Sequence, residues 1–186
     1  MIFNTHFRLR DKHAFLSPSK YHWVNYDEDK LDRAYIAHLA SRRGTELHKL
    51  AHDLIRLGVK LPRTATTLNA YVNDAIGFRM TPEQPLYYSD NAFGHADCIS
   101  FRRSKLRIHD LKTGVTPASE KQLEVYAALF CLEYKMPPND FEIELRIYQN
   151  DEVQVFEPDA DTIFHVMDRI ITFDKRIETM KEEALS

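Results

Sequence analysis

The residues best suited to chemistry lie in the stretch GHADCISFRRSKLRIHDLKTG, residues 94–114, which holds two acids and a lysine. Apolar residues alternate on both sides of Arg103-Ser104, a pattern that predicts two strands joined by a two-residue turn. This register places Asp97 directly opposite Asp110, with both carboxylates on the apolar face of the hairpin. Lys112 shares that face because it follows Asp110 by two residues.

Two carboxylates placed across a sheet repel each other, so the pair should share a proton or hold a cation. Carboxylate oxygens suit a hard ion such as magnesium, which keeps positions open for a phosphate. A neighbouring lysine can stabilise the negative charge that develops on phosphorus, or help to activate the attacking water. These groups together predict metal-assisted hydrolysis of a phosphodiester; the alternative for this stretch alone is two surface acids at strand ends.

The elements that must position these residues follow from the hydrophobic periodicity along the chain. The pattern changes from helical to alternating and back, and it predicts a mixed α/β fold. The predicted elements are a helix over 27–57, or two helices with a break near Gly44, a helix over 66–76, strands over 86–88, 92–102 and 105–111, a helix over 117–134, strands over 141–149 and 152–156, and an amphipathic helix over 159–184.

Composition narrows the class of protein. With 186 residues, 44% hydrophobic and 28% charged, the chain fits one globular domain. It has no apolar run of membrane-spanning length and no signal-peptide pattern, so we expect a cytoplasmic protein without a membrane partner. Cys98 and Cys131 are too few for a disulfide framework or a four-cysteine cluster, and we expect both to be small buried hydrophobes.

The formal net charge of −3 does not by itself predict a nucleic-acid-binding protein. The N-terminal segment is locally basic, however, and aromatic residues follow it directly. Basic side chains beside flat rings suit the phosphates and bases of a single strand or a frayed end. The predicted DNA contacts here are Arg8, Arg10, Lys20, Tyr21 and Trp23; the alternative is a solvated N-terminal arm over 1–26.

Four short motifs occur in a fixed order between residues 44 and 126. They are G-x-x-x-H (Gly44, His48), G-x-x-D (Gly94, Asp97), D-x-K (Asp110, Lys112) and Q-x-x-x-Y (Gln122, Tyr126). In this order the chain resembles the RecB-type branch of the PD-(D/E)XK nuclease superfamily. The resemblance implies a single nuclease domain over 1–186, with a restriction-endonuclease-like α-β-β-β-α-β core at about 44–156 and helices packed on it at both ends.

The resemblance implies a role for each matching residue. The metal ligands would be His48, Asp97, Asp110 and the backbone carbonyl of Leu111, and the ion would be Mg²⁺ or Mn²⁺. Lys112 would be the catalytic lysine, and Gln122 and Tyr126 would orient both this lysine and the DNA backbone. Gly94 and Gly114 would permit close packing around the site.

The chain also departs from the family at two points. His52 stands where many relatives carry a glutamate four residues after the motif histidine. Several CRISPR-associated and helicase-fused relatives hold an iron–sulfur cluster with four cysteines, and this chain has only two. We therefore expect no iron–sulfur cluster.

The function implied by the resemblance is that of a metal-dependent deoxyribonuclease, and specifically an exonuclease of phage-type DNA processing or recombination. Its partners would be single-stranded DNA or duplex ends, a second copy of itself, or a recombination or replication protein. If the chain is phage-encoded, it would act in the host cytoplasm. The alternative is a nuclease-fold module of little or no activity that binds DNA or a partner protein.

Overall fold

A computed structural model describes residue 7 and residues 14–185, with only the backbone described at residue 185. By its internal contacts the chain forms two compact units, residues 1–45 and residues 46–186. Helix α1 (Glu28–Leu57) is continuous through Gly44, so the two-helix version of the prediction is wrong. A single glycine costs a helix about 1 kcal/mol, which good helix formers on both sides outweigh.

The described part of the first unit contains a 3-10 helix over Pro18–Asn25 that the sequence pattern did not indicate. Pro18 begins it, which suits a proline because its fixed φ is helical and its missing N–H is not needed there. The indole N–H of Trp23 donates to the carbonyl of Ser17 at 3.0 Å. Residues 18–25 of the predicted arm therefore form regular structure.

The second unit is built on a five-stranded sheet in the order β1-β2-β3-β4-β5. The first three strands form an antiparallel meander, β4 is parallel to β3, and β5 is antiparallel to β4. The strands are β1 (Thr81–Ser89), β2 (Ala92–Arg102), β3 (Lys105–Leu111), β4 (Glu142–Gln149) and β5 (Glu152–Phe156), and the remaining helices are α2 (Thr67–Gly77), α3 (Lys121–Tyr134) and α4 (Ala160–Leu185). The predicted mixed α/β class is confirmed.

Two boundaries differ from the prediction by more than one residue. Strand β1 begins five residues earlier than expected because Pro82 and Pro85 interrupt the alternating pattern without ending the strand. Proline is tolerated there because β1 lies at the edge of the sheet and one of its sides needs no donor. Helix α3 begins at Lys121 rather than at residue 117.

The predicted register of the central hairpin is confirmed. Cys98 pairs with His109 and Arg102 with Lys105. Arg103 and Ser104 both have positive φ, at 52° and 55°, as a two-residue turn of the primed type requires. Alternation along β3 therefore sends Leu106, Ile108 and Asp110 to one face and Lys105, Arg107 and His109 to the other.

Each face of the sheet has its own core. On one face, α3 packs against β2, β3 and β4, and α4 packs against α3. On the other face, α2 and residues 51 and 55 of α1 form a second core. Cys131 belongs to the first core and Cys98 to the second, both as free thiols. Burial raises the pKa of each to about 12, so both behave as small hydrophobes, as expected.

Among the described residues, no helix combines the length and the apolar character needed to cross a membrane.

A buried acid ties β3 to β4 on the α2 face. Glu144 is 6% exposed and lies 3.0 Å from Lys105 Nζ, 3.2 Å from Arg107 Nε and 2.9 Å from Arg146 Nε. Burial by itself raises the pKa of Glu144, but the three cations outweigh it and hold the pKa below its ordinary value. The carboxylate therefore stabilises the folded state only while it is ionised.

We expect Glu144→Gln to lower the free energy of unfolding by about 3 kcal/mol at pH 7, because it leaves three cations without their common partner. The lowered pKa means that this contribution is full above the unfolded pKa, near 4.5, and is lost as the pH falls through the folded value. Urea unfolding of both proteins between pH 7 and pH 3 should show the difference shrinking in acid. The control Glu142→Gln, whose side chain is 76% exposed, should cost about 0.5 kcal/mol or less. A pH-independent difference would contradict the assignment.

Candidate active site

The two acids meet where the β2–β3 ladder ends. The last regular pair is Cys98 with His109, and the next positions along the strands are Asp97 and Asp110. The N–H of Leu111 donates to Oδ2 of Asp97 at 3.0 Å, which joins the two strands at this point through a side chain. The structure therefore brings the two predicted acids together at one end of the hairpin.

Burial makes this pair electrostatically costly. Asp110 is 4% exposed, and its Oδ2 has no hydrogen-bond partner among the described residues. Lys112 Nζ lies 3.0 Å from that oxygen as an ion pair, but without the angles of a hydrogen bond. Burial and the charge of Asp110 raise the pKa of Asp97, and the Leu111 N–H, His48 and Lys112 lower it in part. The site thus contains more negative charge than its neighbours neutralise.

His48 reaches the acids from α1. Its Nδ1 lies 3.4 Å from Oδ2 of Asp97, and its side chain is 32% exposed. The imidazole and the carboxylate therefore face the same small space, as the resemblance implies for two ligands of one ion. His52, one turn later, pairs instead with Asp53 at 3.0 Å and makes no described contact with the acids.

A chain of polar groups connects Lys112 to α3. Lys112 Nζ donates to Oε1 of Gln122 at 2.8 Å, and Nε2 of Gln122 donates to the hydroxyl of Tyr126 at 3.4 Å. Gln122 and Tyr126 lie one helical turn apart, so they share a face. The three residues that the resemblance assigns to one functional group are therefore in contact.

The two motif glycines differ in their surroundings. A Cβ placed on Gly94 would lie 2.9 Å from Cε1 of Tyr126, which is closer than a real side chain tolerates. A Cβ on Gly114 would meet no atom within 4 Å, so the expectation of close packing at Gly114 is wrong. Gly94 lets the Tyr126 ring lie against the strand; Gly114 contributes only its carbonyl, which accepts from Nε2 of Gln149 at 2.6 Å.

Gln149 is the residue that sequence reasoning missed. It lies at the end of β4 and is 6% exposed. Its Nε2 also donates to the carbonyl of Thr116 at 2.8 Å, and its Oε1 accepts from the N–H of Ala118 at 3.1 Å. These bonds hold the loop between β3 and α3 in a non-helical conformation, which explains the late start of α3. A buried glutamine closing an apolar strand was the only signal.

The donor set fits a hard or borderline divalent cation. It consists of two carboxylates and an imidazole, with a buried oxygen of Asp110 that lacks a hydrogen-bond donor. Within the described residues no three such groups already form a ready-made metal cage. The Leu111 N–H and the Lys112 ammonium lie against carboxylate oxygens that a cation would take. The predicted role of the Leu111 carbonyl stays a prediction.

The predicted DNA contacts of the N-terminal segment belong to the first unit. Arg8 and Arg10 lie outside the described residues. Tyr21 is 61% exposed, whereas Trp23 is half-buried and uses its indole N–H internally. Lys20 is exposed within the 3-10 helix. The role of this segment in DNA binding stays a prediction.

We expect Gly94→Ala to destabilise the protein by about 1–2 kcal/mol, because the added methyl group overlaps the ring of Tyr126. The cost should largely vanish in a Tyr126→Ala background, so a double-mutant cycle measured by urea unfolding should give a coupling above about 0.5 kcal/mol. Gly114→Ala is the matched control and should stay within about 0.5 kcal/mol of the parent. Additive effects at positions 94 and 126 would contradict the described contact.

We expect Asp97→Asn to stabilise the protein at pH 7 to 8 in EDTA, by up to about 1 kcal/mol, because it removes one of two neighbouring carboxylate charges, of which Asp97 is partly and Asp110 almost fully buried. The amide oxygen can still accept from the Leu111 N–H, so the local backbone should be preserved. Since the pKa of Asp97 is raised, the gain should disappear as the pH falls and Asp97 becomes protonated in the parent. Thermal unfolding at several pH values measures this; a less stable variant at pH 8 would show that the acids do not repel.

Comparisons with known proteins do not assign this chain to a family. No family model, no curated protein and no solved structure gives a significant match. The chemistry of the Asp97–Asp110 site is therefore the basis on which a function can be proposed.

Proposed function

We propose that this chain is a divalent-metal-dependent deoxyribonuclease that hydrolyses phosphodiester bonds at the Asp97–Asp110 site. The observation that carries the proposal is the buried Asp110 carboxylate, which has an oxygen without a hydrogen-bond donor and faces a second carboxylate and a lysine. Two neighbouring carboxylates repel each other, so their repulsion costs the metal-free protein stability. A cation between the acids offsets their repulsion and gives the arrangement a use.

Asp97, Asp110 and His48 are the residues that would hold the ion, as Mg²⁺ or Mn²⁺. Once bound, the ion would act as a Lewis acid on the phosphate. In the reaction, a water oxygen forms a bond to phosphorus, one P–O ester bond breaks, and the departing oxygen takes up a proton. Each remaining requirement, to hold the phosphate and to compensate its charge, falls to residues of this chain.

Lys112 is the group best placed to stabilise the charge that develops on the phosphate oxygens. Its ammonium lies beside Asp110, and the acceptor Gln122 fixes its direction. A donor held in place before the reaction costs no reorganisation when the charge appears. Tyr126 lies against Gly94 and is hydrogen-bonded to Gln122. Its hydroxyl and ring edge can therefore contact the DNA backbone next to Lys112.

The resemblance to RecB-type nucleases supports DNA as substrate and exonucleolytic cleavage from a strand end. It also supports a place in phage-type DNA processing or recombination, with a second copy or a recombination protein as partner. Those parts rest on analogy of motifs, whereas the metal-assisted phosphodiester chemistry rests on the described site.

The test is degradation of single- and double-stranded DNA, labelled at either end, with Mg²⁺, Mn²⁺ or EDTA. We expect cleavage with metal and none in EDTA. Asp110→Asn and Lys112→Ala should each reduce the rate at least about 100-fold, because each removes a group that acts on the transition-state charge. The position of the label in the products reports the direction of attack.

Asp168→Asn and Lys175→Ala are matched controls, because both residues are exposed on α4 and change charge in the same way. They should cleave at the parental rate. Binding of Mn²⁺ should also raise the melting temperature of the parent and of Lys112→Ala, but not of Asp110→Asn. A parent that binds DNA and cuts neither strand form with either metal would instead support the non-catalytic binding module.

A further inference from the structure

A basic groove lies on the second unit, away from the two acids. It has a volume of about 740 Å³ and is bordered by the end of α2, the β2–β3 turn and the starts of β3 and β4. Five of its lining side chains are cationic, and the only acidic one is Glu142. The five are Arg79, Arg102, Arg103, Lys105 and Arg107. A concentration of positive charge on a chain of net charge −3 needs an explanation.

The five cations fall into two groups. Lys105 and Arg107 are paired with Glu144, and the guanidinium of Arg107 also stacks on the ring of Phe78 at 4.6 Å. The other three, Arg79, Arg102 and Arg103, are exposed and form no ion pair with any residue that the structure describes. The groove therefore presents three guanidinium groups without an acidic partner, next to two cations that Glu144 neutralises.

Two of these arginines occupy backbone positions that disfavour them. Arg79, just past the end of α2, has φ of 54°, and Arg103 in the β2–β3 turn has φ of 52°. Glycine or asparagine is favoured at such positions because a longer side chain is strained there. Arginine at these two positions therefore carries a backbone cost that local folding does not explain. Both side chains border the groove.

We propose that this groove binds the phosphate backbone of nucleic acid, as a second contact with the DNA that the proposed nuclease acts on; in that respect it rests on the proposed function. Guanidinium groups match phosphate oxygens with two parallel hydrogen bonds. Two aromatic residues line the groove, and both rings already have partners: Arg107 and Arg146 stack on Phe78, and Phe101 packs against Phe130 and Phe141. Binding is therefore independent of base sequence and strongly dependent on salt.

The groove is separate from the acid site. Lys105, Arg107 and Arg102 lie on the α2 face of the hairpin, whereas Asp110 lies on the α3 face. Along β3, Lys105 and Asp110 are five residues apart, or about 17 Å. Phosphates held in the groove are therefore not the phosphate being cleaved, and the groove holds a part of the nucleic acid distant from the scissile bond.

The test is DNA binding in EDTA, measured by fluorescence anisotropy with a labelled oligonucleotide over a range of salt concentrations. The groove variant combines Arg79→Asn, Arg102→Gln and Arg103→Asn. We expect its affinity at physiological salt to fall about tenfold, and the slope of log affinity against log salt to decrease in magnitude by about 2 to 3. Its melting temperature should not fall, because asparagine tolerates positive φ at positions 79 and 103.

The matched control combines Lys135→Asn, Arg56→Gln and Lys175→Gln. Lys135 also has positive φ, at 54°, and all three residues are exposed and lie outside the groove. The control removes the same charge and relieves one comparable strain. It should keep the parental affinity and salt slope.

The outcomes separate this inference from the proposed nuclease. Parental affinity and slope in the groove variant would overturn the inference while leaving metal-dependent cleavage untouched. An equal loss in the control would also overturn it, since the effect would then be one of total charge. If the groove variant instead loses binding of polyglutamate but not of DNA, the groove takes an acidic polypeptide and the inference is wrong. If the groove variant binds DNA more weakly and the parent does not cleave DNA, the result would support the inference about the groove and contradict the proposed nuclease activity.

Discussion

The repulsion between Asp97 and Asp110 is the constraint around which the site is organised. One carboxylate is almost fully buried and retains an oxygen without a hydrogen-bond donor, and the other has a raised pKa because it shares that environment. Three neighbours offset part of the charge: the Leu111 N–H from β3, His48 from α1 and Lys112 beyond the strand. They come from different elements, so the site forms only when α1 packs against the β2–β3 hairpin in the described position. A bound cation would complete the compensation.

Helix α3 carries the other half of the site, and two contacts fix its position. Gln149 binds the loop that leads into the helix, through Gly114, Thr116 and Ala118, so that the helix begins late and presents Gln122 to Lys112. Gly94 lets the ring of Tyr126 rest on β2. The lysine is thus oriented by a helix whose own placement depends on the end of β4. The contacts that would orient the proposed catalytic lysine are therefore also the contacts that position α3 on the sheet.

In the second unit, acidic and basic side chains are concentrated at opposite ends of the β2–β3 hairpin. The acids lie beyond the Cys98–His109 pair at one end of the hairpin, with Asp110 on the α3 face and Asp97 in contact with His48 of α1. The free arginines lie around the other end. Glu144 neutralises Lys105 and Arg107, the other two cations of the groove. A nearly neutral chain can therefore offer one surface to a cation and another to a polyanion, and total charge says little about either.

The sequence by itself determined the mixed α/β class, the β2–β3 register and the presence of Asp97 and Asp110 at the same end of the hairpin, because side-chain alternation and a two-residue turn leave a hairpin little freedom. It did not determine which distant groups would surround the pair. The contact of His48 with Asp97, the hold of Gln149 on the α3 loop and the grouping of Arg79 with Arg103 join residues far apart in the chain. Local sequence patterns determine backbone conformation and the face of a strand or helix on which a side chain lies. These contacts depend instead on how the helices pack on the sheet, which only the tertiary structure decided.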